Sequence, residues 1–295
     1  MVIISNFFNE KHFKYFLNKY EDLPITLFMD SIPNKTQLNL NPYNFLLIHE
    51  PNELFGLHNW ALQNYHLFHG ILTYNKTLLD TIPNTIEFYY NGMTSENVNQ
   101  YEAYLKDKEK KFEVSFLCGI KDIAEGHKLR QQIYLLKDQI DIPKQWFYVL
   151  EDFDFTTNTR PGYTEYSKDL SHIPEDWAPD VWGKRHIYEE SMFHIAVENS
   201  YSDNWYTEKI GQAFISKTLP IYWGCPTLGE IGYDERGIIR FQTKEELINI
   251  LNNLTPEDYF SRLPYIEYNY QVSLQDNFRT KLSYILDQLK ELNNL

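Results

Sequence analysis

Residues 193–226 read FHIAVENSYSDNWYTEKIGQAFISKTLPIYWGCP, and here residue types and spacing point most directly to chemistry. An apolar stretch of strand character runs into the polar loop SYSDNW and then into an amphipathic helix starting near Thr207. Asn204 or Thr207 suits the N-cap, because a side-chain oxygen there accepts from the first free N–H groups. A helix N-terminus attracts anions, and Lys209 in the first turn adds a full positive charge. Glu208 beside it opposes phosphate unless its carboxylate is aimed at hydroxyls. That order of charges suits a ligand carrying both phosphate and sugar. A capped surface helix with solvated Glu208 and Lys209 would show the same pattern.

Positioning such a site requires strands that end at it. Short apolar runs at 2–5, 25–29, 45–49, 69–73, 86–90, 114–119, 146–150, 193–198, 219–223 and 238–241 read as strands. Helical periodicity falls at 9–20, 76–81, 95–110, 127–140, 206–217, 243–253 and 276–292. Alternating β and α elements of these lengths predict parallel sheets covered on both faces. Ten strands are too many for one sheet in 295 residues, and the charged stretch KDKEKK at 106–111 is the natural boundary. The expectation is an α/β protein of two Rossmann-like domains, 1–110 and 111–275, facing across a cleft. A C-terminal helix over 276–295 packs back through Leu282, Ile285, Leu286, Leu289 and Leu292.

Composition narrows the function classes. Apolar residues at 43% exclude a mainly disordered chain. The net charge of −14 repels a phosphate backbone, so nonspecific nucleic-acid binding is not expected. Cys118 and Cys225 stand far apart in apolar stretches and form no metal pair or disulfide framework. No run of 18 apolar residues occurs, and the start MVIISNFFNEKHFKYF lacks a leader pattern, so a soluble cytoplasmic protein of a microbe or virus-infected cell is expected. His49, His58, His66, His69, His127, His172, His186 and His194 show no metal spacing, and no G-x-S-x-G or Walker loop occurs.

The run Glu198-Asn199-Ser200, Thr207-Glu208-Lys209, Ala213 and Pro220-x-x-x-Gly224-x-Pro226 resembles, without a gap over about 35 residues, the C-terminal motif of the α1,3-fucosyltransferases, glycosyltransferase family 10. Trp205 stands where that family commonly has Tyr. The upstream segment VSFLCGIKDIAEGHKLRQQIYLL is similar to the family's first donor-domain strand and helix. The resemblance implies a two-domain GT-B enzyme that inverts the anomeric carbon in one in-line displacement. It implies Arg130 and Lys209 as the diphosphate clamp, with Arg185 as the rival to Arg130. Asn199, Trp205 and Glu208 become donor-positioning groups. Glu50, after the apolar strand in FLLIHEPNELFG, matches the general base, with Glu53 second; by pattern alone, a Glu before Pro is a turn residue.

The donor implied is GDP-fucose and the partner a glycan acceptor, with no cofactor. The triplet Asp152-x-Asp154 is a competing metal motif. Arg, Lys and a helix N-terminus replace the ion in metal-independent enzymes, and no metal is expected here. Another nucleotide-sugar on the same frame, or an inactive sugar-binding module, remain the alternatives.

Overall fold

The computed structural model describes residues 1–5, 10–89, 108–149, 187–276 and 278–292. Its contacts divide the chain into two compact units. The first comprises Met1–Tyr89, Asp203–Trp205 and Arg279–Leu295; the second comprises Tyr90–Ser202 and Tyr206–Phe278.

In the first unit five parallel strands lie side by side in chain order: β1 (Val2–Ser5), β2 (Ile25–Met29), β3 (Tyr43–Ile48), β4 (Gly70–Thr73) and β5 (Thr85–Glu87). Every residue of β2 and β4 is buried, as are all but the first of β3. Strands buried on both faces read as continuous apolar runs, which is why these were visible without alternation. Helices α1 (Glu10–Lys19), α2 (Asn52–Phe55), α3 (Leu57–Asn64) and α4 (Lys76–Thr81) connect the strands. Leu57 and Ala61 of α3 and Leu78 of α4 share one core with Phe28, Leu46, Ile48 and Ile71 of the sheet.

The second sheet runs β10–β9–β8–β6–β7, again all parallel: β6 (Lys111–Gly119), β7 (Lys144–Val149), β8 (Ser191–Val197), β9 (Leu219–Trp223) and β10 (Ile239–Arg240). The chain goes from β6 outward to β7 on one side. On the other side it builds β8, β9 and β10 in succession. Its direction therefore reverses between β6 and β8, and a crevice opens beyond the strand ends at such a switch point. Helix α5 (Glu125–Tyr134) follows β6, and α6 (Glu208–Ile215) joins β8 to β9. Beyond β9 come α7 (Leu228–Ile231), α8 (Lys244–Asn253), α9 (Pro256–Phe260), α10 (Leu263–Gln275) and α11 (Phe278–Leu292).

The C-terminal helix packs back onto the first unit. Leu282 and Leu286 of α11 are buried, and Tyr20 Oη donates to Ser283 O at 3.1 Å and Asp287 Oδ1 at 2.9 Å. Lys19 pairs with Asp287 at 3.3 Å. Five helices were not anticipated: α2, α3, α7, α9 and α10. Gly56, in the left-handed region at φ +64°, lets the chain turn from α2 straight into α3, where the sequence resembled a loop. Residues 263–275, LPYIEYNYQVSLQ, mix aromatic and polar types without a clean period; burial of Ile266, Asn269, Tyr270 and Ser273 makes them helical. Helices α7 and α9 are short, and α9 starts from a Pro at N1; α11 is the expected C-terminal helix. Most of the helix expected over 95–110 lies outside the described residues. Among the described residues no helix is long and apolar enough to cross a membrane.

A buried polar pair spans the centre of the second sheet. Ser115 of β6 and His194 of β8 stand in register, with Oγ 2.8 Å from Nδ1. Burial, reinforced by Lys110, pushes the His194 pKa down to about 3. The unfolded chain takes up a proton near pH 6.5 that the folded chain refuses, so this stability is complete above that pH and drains away as pH falls toward 3. One such group contributes a slope of about 1.4 kcal/mol per pH unit. Denaturant titrations between pH 6.5 and 4.5 should show a shallower acid loss for His194→Gln than for wild type. Equal slopes would mean that His194 is protonated in the folded protein.

Candidate functional site

The C-terminal ends of β6 and β8, either side of the switch point, carry the second unit's polar centre. Glu198, the residue after β8, is fully buried. Its Oε1 accepts from Thr207 N at 2.9 Å and Tyr222 Oη at 3.4 Å, and its Oε2 from Thr207 Oγ1 at 2.7 Å. Lys209 Nζ lies 3.4 Å from Oε2. A buried carboxylate survives only with donors and a cation around it, and here they come from the start of α6 and from Tyr222 of β9. Thr207 is the N-cap: its hydroxyl donates to Glu198 and accepts from Lys209 Nζ at 2.8 Å. Gly224 makes the close approach possible, since a Cβ there would meet Glu198 Cγ and Tyr222 Oη at 2.5 Å. The Pro-x-x-x-Gly-x-Pro run thus wraps the Glu198 carboxylate, with Tyr222 Oη also accepting from Cys225 N at 3.1 Å.

Helix α5 arrives at the same corner. Gly126 N donates to Asn199 O at 2.9 Å, and a Cβ on Gly126 would fall 1.7 Å from Glu198 O. Arg130, one turn on and buried, donates through Nη1 to Val197 O and to Glu198 O, the latter at 3.2 Å. Its Nη2 donates to Asn199 Oδ1 at 2.8 Å. Burial lowers the Arg130 pKa, with Glu198 and then Glu208 among the groups opposing that shift. Glu208 Oε1 stands 3.6 Å from Lys209 Nζ, with 30% and 23% of the two side chains exposed.

Four sequence-derived site residues, Arg130, Asn199, Glu208 and Lys209, therefore share one corner. Arg130 differs from the expectation in one respect. Both terminal nitrogens of its guanidinium bind the protein itself, because a buried cation must satisfy its donors, and the carbonyls at the end of β8 are the acceptors in reach. It fixes Asn199 and the strand end.

Trp205 is a correction. The donor-positioning role expected of it does not fit a side chain that is 1% exposed. Trp205 belongs to the first unit, where Nε1 donates to His49 O at 2.7 Å and the ring packs 6.4 Å from Tyr74. Asp152, Asp154 and Arg185 lie outside the described residues.

Glu50 follows β3 in the first unit, in a tightly fixed backbone. Asp30, at the end of β2 and in the left-handed region at φ +46°, turns its carboxylate back on the neighbouring strand. Its Oδ1 accepts from His49 N at 2.8 Å and Glu50 N at 3.0 Å. His58 Nε2 donates to Glu50 O at 3.1 Å. Burial pushes the Asp30 pKa up to about 6, against the pull of those two N–H groups. Glu50 is half-buried with Oε2 shielded from solvent, whereas Glu53 is exposed. Glu198 and Gly224 stand in the sequence motif without a role of their own, and Asp30, His58 and Gly126 were given none either. An apolar strand ending in a lone Asp or Glu is the signal that would have found the two carboxylates.

No protein-family model matches the sequence, and no curated protein matches it. Solved structures do. A crystal structure of an α1,3-fucosyltransferase superposes with a TM-score of 0.54 at 12% identity, over 93% of this chain and 89% of that one. The chain has the GT-B fold. An α1,3-fucosyltransferase structure with GDP-fucose gives 0.52 at 13% identity, over 93% and 90%. HepE of Anabaena with UDP-glucose gives 0.53 at 11%, over 94% and 81%.

The close approach of α5 to Glu198 generates a stability test. Gly126→Ala should destabilise by about 1–3 kcal/mol or more, because its Cβ meets backbone and not a movable side chain. Gly119→Ala, whose Cβ meets nothing within 4 Å, is the control and should unfold like wild type. Equal unfolding midpoints for the two would show that α5 does not dock on the end of β8.

Proposed function

We propose that the protein is a metal-independent, inverting glycosyltransferase that moves fucose from GDP-fucose to a glycan hydroxyl. The observation that carries the reading is the polar corner at the switch point of the second sheet. There the N-terminal turns of α5 and α6 converge on Glu198 and Asn199, with Lys209 and Arg130 beside them. Helix N-termini and fixed cations favour a diphosphate and stabilise it as it departs. The sequence motif supports fucose as the sugar. The GT-B neighbours include one solved with GDP-fucose and one in complex with UDP-glucose, so a UDP-sugar donor is the second reading.

In this mechanism Glu50 takes the acceptor hydroxyl's proton as that oxygen attacks the anomeric carbon and the bond to the diphosphate breaks. Asp30 and His58 keep the Glu50 backbone from shifting during the transfer. Lys209 and the first turn of α6 carry the charge of the leaving group. Asn199 and Glu208 orient the donor, Arg130 orients Asn199, and Trp205 anchors its loop without touching the donor.

Glu50→Gln should lower turnover by about 10²–10⁴-fold while GDP binding is retained. A variant keeping more than about a tenth of the wild-type rate would move the base to another carboxylate, Glu53 first. Calorimetry with GDP, UDP and CMP tests the donor. Tighter binding of GDP is expected, and tighter binding of UDP would replace the fucosyl reading with the second one. Activity in excess EDTA should persist; its loss, restored by Mn²⁺, would bring Asp152 and Asp154 into the mechanism.

A further inference from the structure

His127 is the third residue of α5 and 5% exposed. Its Nδ1 accepts the N–H of Ala124, the residue that opens the helix, at 3.1 Å. A ring nitrogen that accepts carries no hydrogen, so the neutral ring keeps its proton on Nε2, across the ring from that bond. Among the described residues Nε2 enters no hydrogen bond, and it is not one of the polar atoms sealed from solvent, so this edge of an otherwise buried ring is open. An N–H held in one direction by the bond at Nδ1, at the open edge of a ring that is otherwise buried, is placed to donate to a ligand.

The charges around the ring define that ligand. Burial lowers the His127 pKa to about 4, and the groups acting with burial are Arg130, Lys209 and Lys121, all cations. The ring therefore stays neutral at ordinary pH and offers a donor only. Three cations around a donor-only group fit an anion with several acceptor oxygens. The helix turn that carries His127 is the one docked on Glu198 and Asn199 through Gly126.

We propose that His127 donates a hydrogen bond from Nε2 to a phosphate oxygen of the donor's diphosphate. This inference rests on the nucleotide-sugar reading above and assigns it a residue of α5. A neutral donor adds directional binding without repelling Arg130 and Lys209, which a fourth cation would do.

The test is calorimetry on the full chain with GDP, guanosine and inorganic pyrophosphate, using His127→Asn and His127→Gln. Asn can still accept from Ala124 N but has no donor at the Nε2 position, whereas Gln reaches further and restores an N–H. His127→Asn should weaken GDP and pyrophosphate about 10-fold. It should leave guanosine binding and the unfolding midpoint unchanged, and His127→Gln should recover much of the loss. Wild-type GDP affinity in His127→Asn would overturn the inference and leave the nucleotide reading standing. So would equal losses for GDP and guanosine with a lowered midpoint, the mark of a purely structural histidine. If wild type binds pyrophosphate in a His127-dependent way but neither GDP nor UDP, the anion site stands and the nucleotide-sugar reading falls. If wild type binds none of these ligands, both fall.

Discussion

A single carboxylate, that of Glu198, holds the second unit's polar centre in shape. It sits at the end of β8 with no exposure, where an ionised group without partners would be strongly unfavourable. The folded chain answers by bringing the N-cap of α6, Lys209 and Tyr222 to its two oxygens. Those contacts fix the start of α6, and with it the positions of Glu208 and Lys209. The backbone of the same two residues, Glu198 and Asn199, receives Gly126 and Arg130 from α5. Two helix N-termini are thereby pinned to one strand end at the switch point of the sheet. That geometry sets two helix N-termini, Arg130 and Lys209 beside the carboxylates of Glu198 and Glu208, and leaves no room for a side chain at Gly126 or Gly224.

The first unit solves a similar problem with Asp30. Its carboxylate gathers the N–H groups of His49 and Glu50, while His58 takes the carbonyl of Glu50. Trp205 takes the carbonyl of His49. The backbone just past β3 is thus bonded at successive polar groups, and the Glu50 side chain projects from a rigid base. Pre-organisation of this kind is what a proton acceptor needs, since a base that wanders loses the alignment on which its contribution depends.

The parts of this arrangement that sequence exposes are those with local causes. Continuous apolar runs such as ITLFM and FLLI give fully buried parallel strands, and Thr207 before an amphipathic stretch gives a helix start. Helices 52–64 and 263–275 escaped because their causes are tertiary: burial of Leu57, His58 and Ala61 in one, and of Asn269, Tyr270 and Ser273 in the other. The site shows the same division. Asn199, Glu208 and Lys209 stand in a recognisable order, but nothing local says that Arg130 spends its guanidinium on the carbonyls of β8. Trp205 is the plainest case. Its place in the motif implied donor positioning, yet the chain at 203–205 belongs to the first unit, where the ring is sealed against Tyr74 and the carbonyl of His49.

The claim on which the rest stands is that the corner built on Glu198 and Asn199 is a diphosphate site. A crystal structure of the protein with GDP tests it most directly. The account predicts phosphate oxygens within about 4 Å of Lys209 Nζ, at the first turns of α5 and α6. A diphosphate bound away from both helix N-termini and from Lys209 would contradict it.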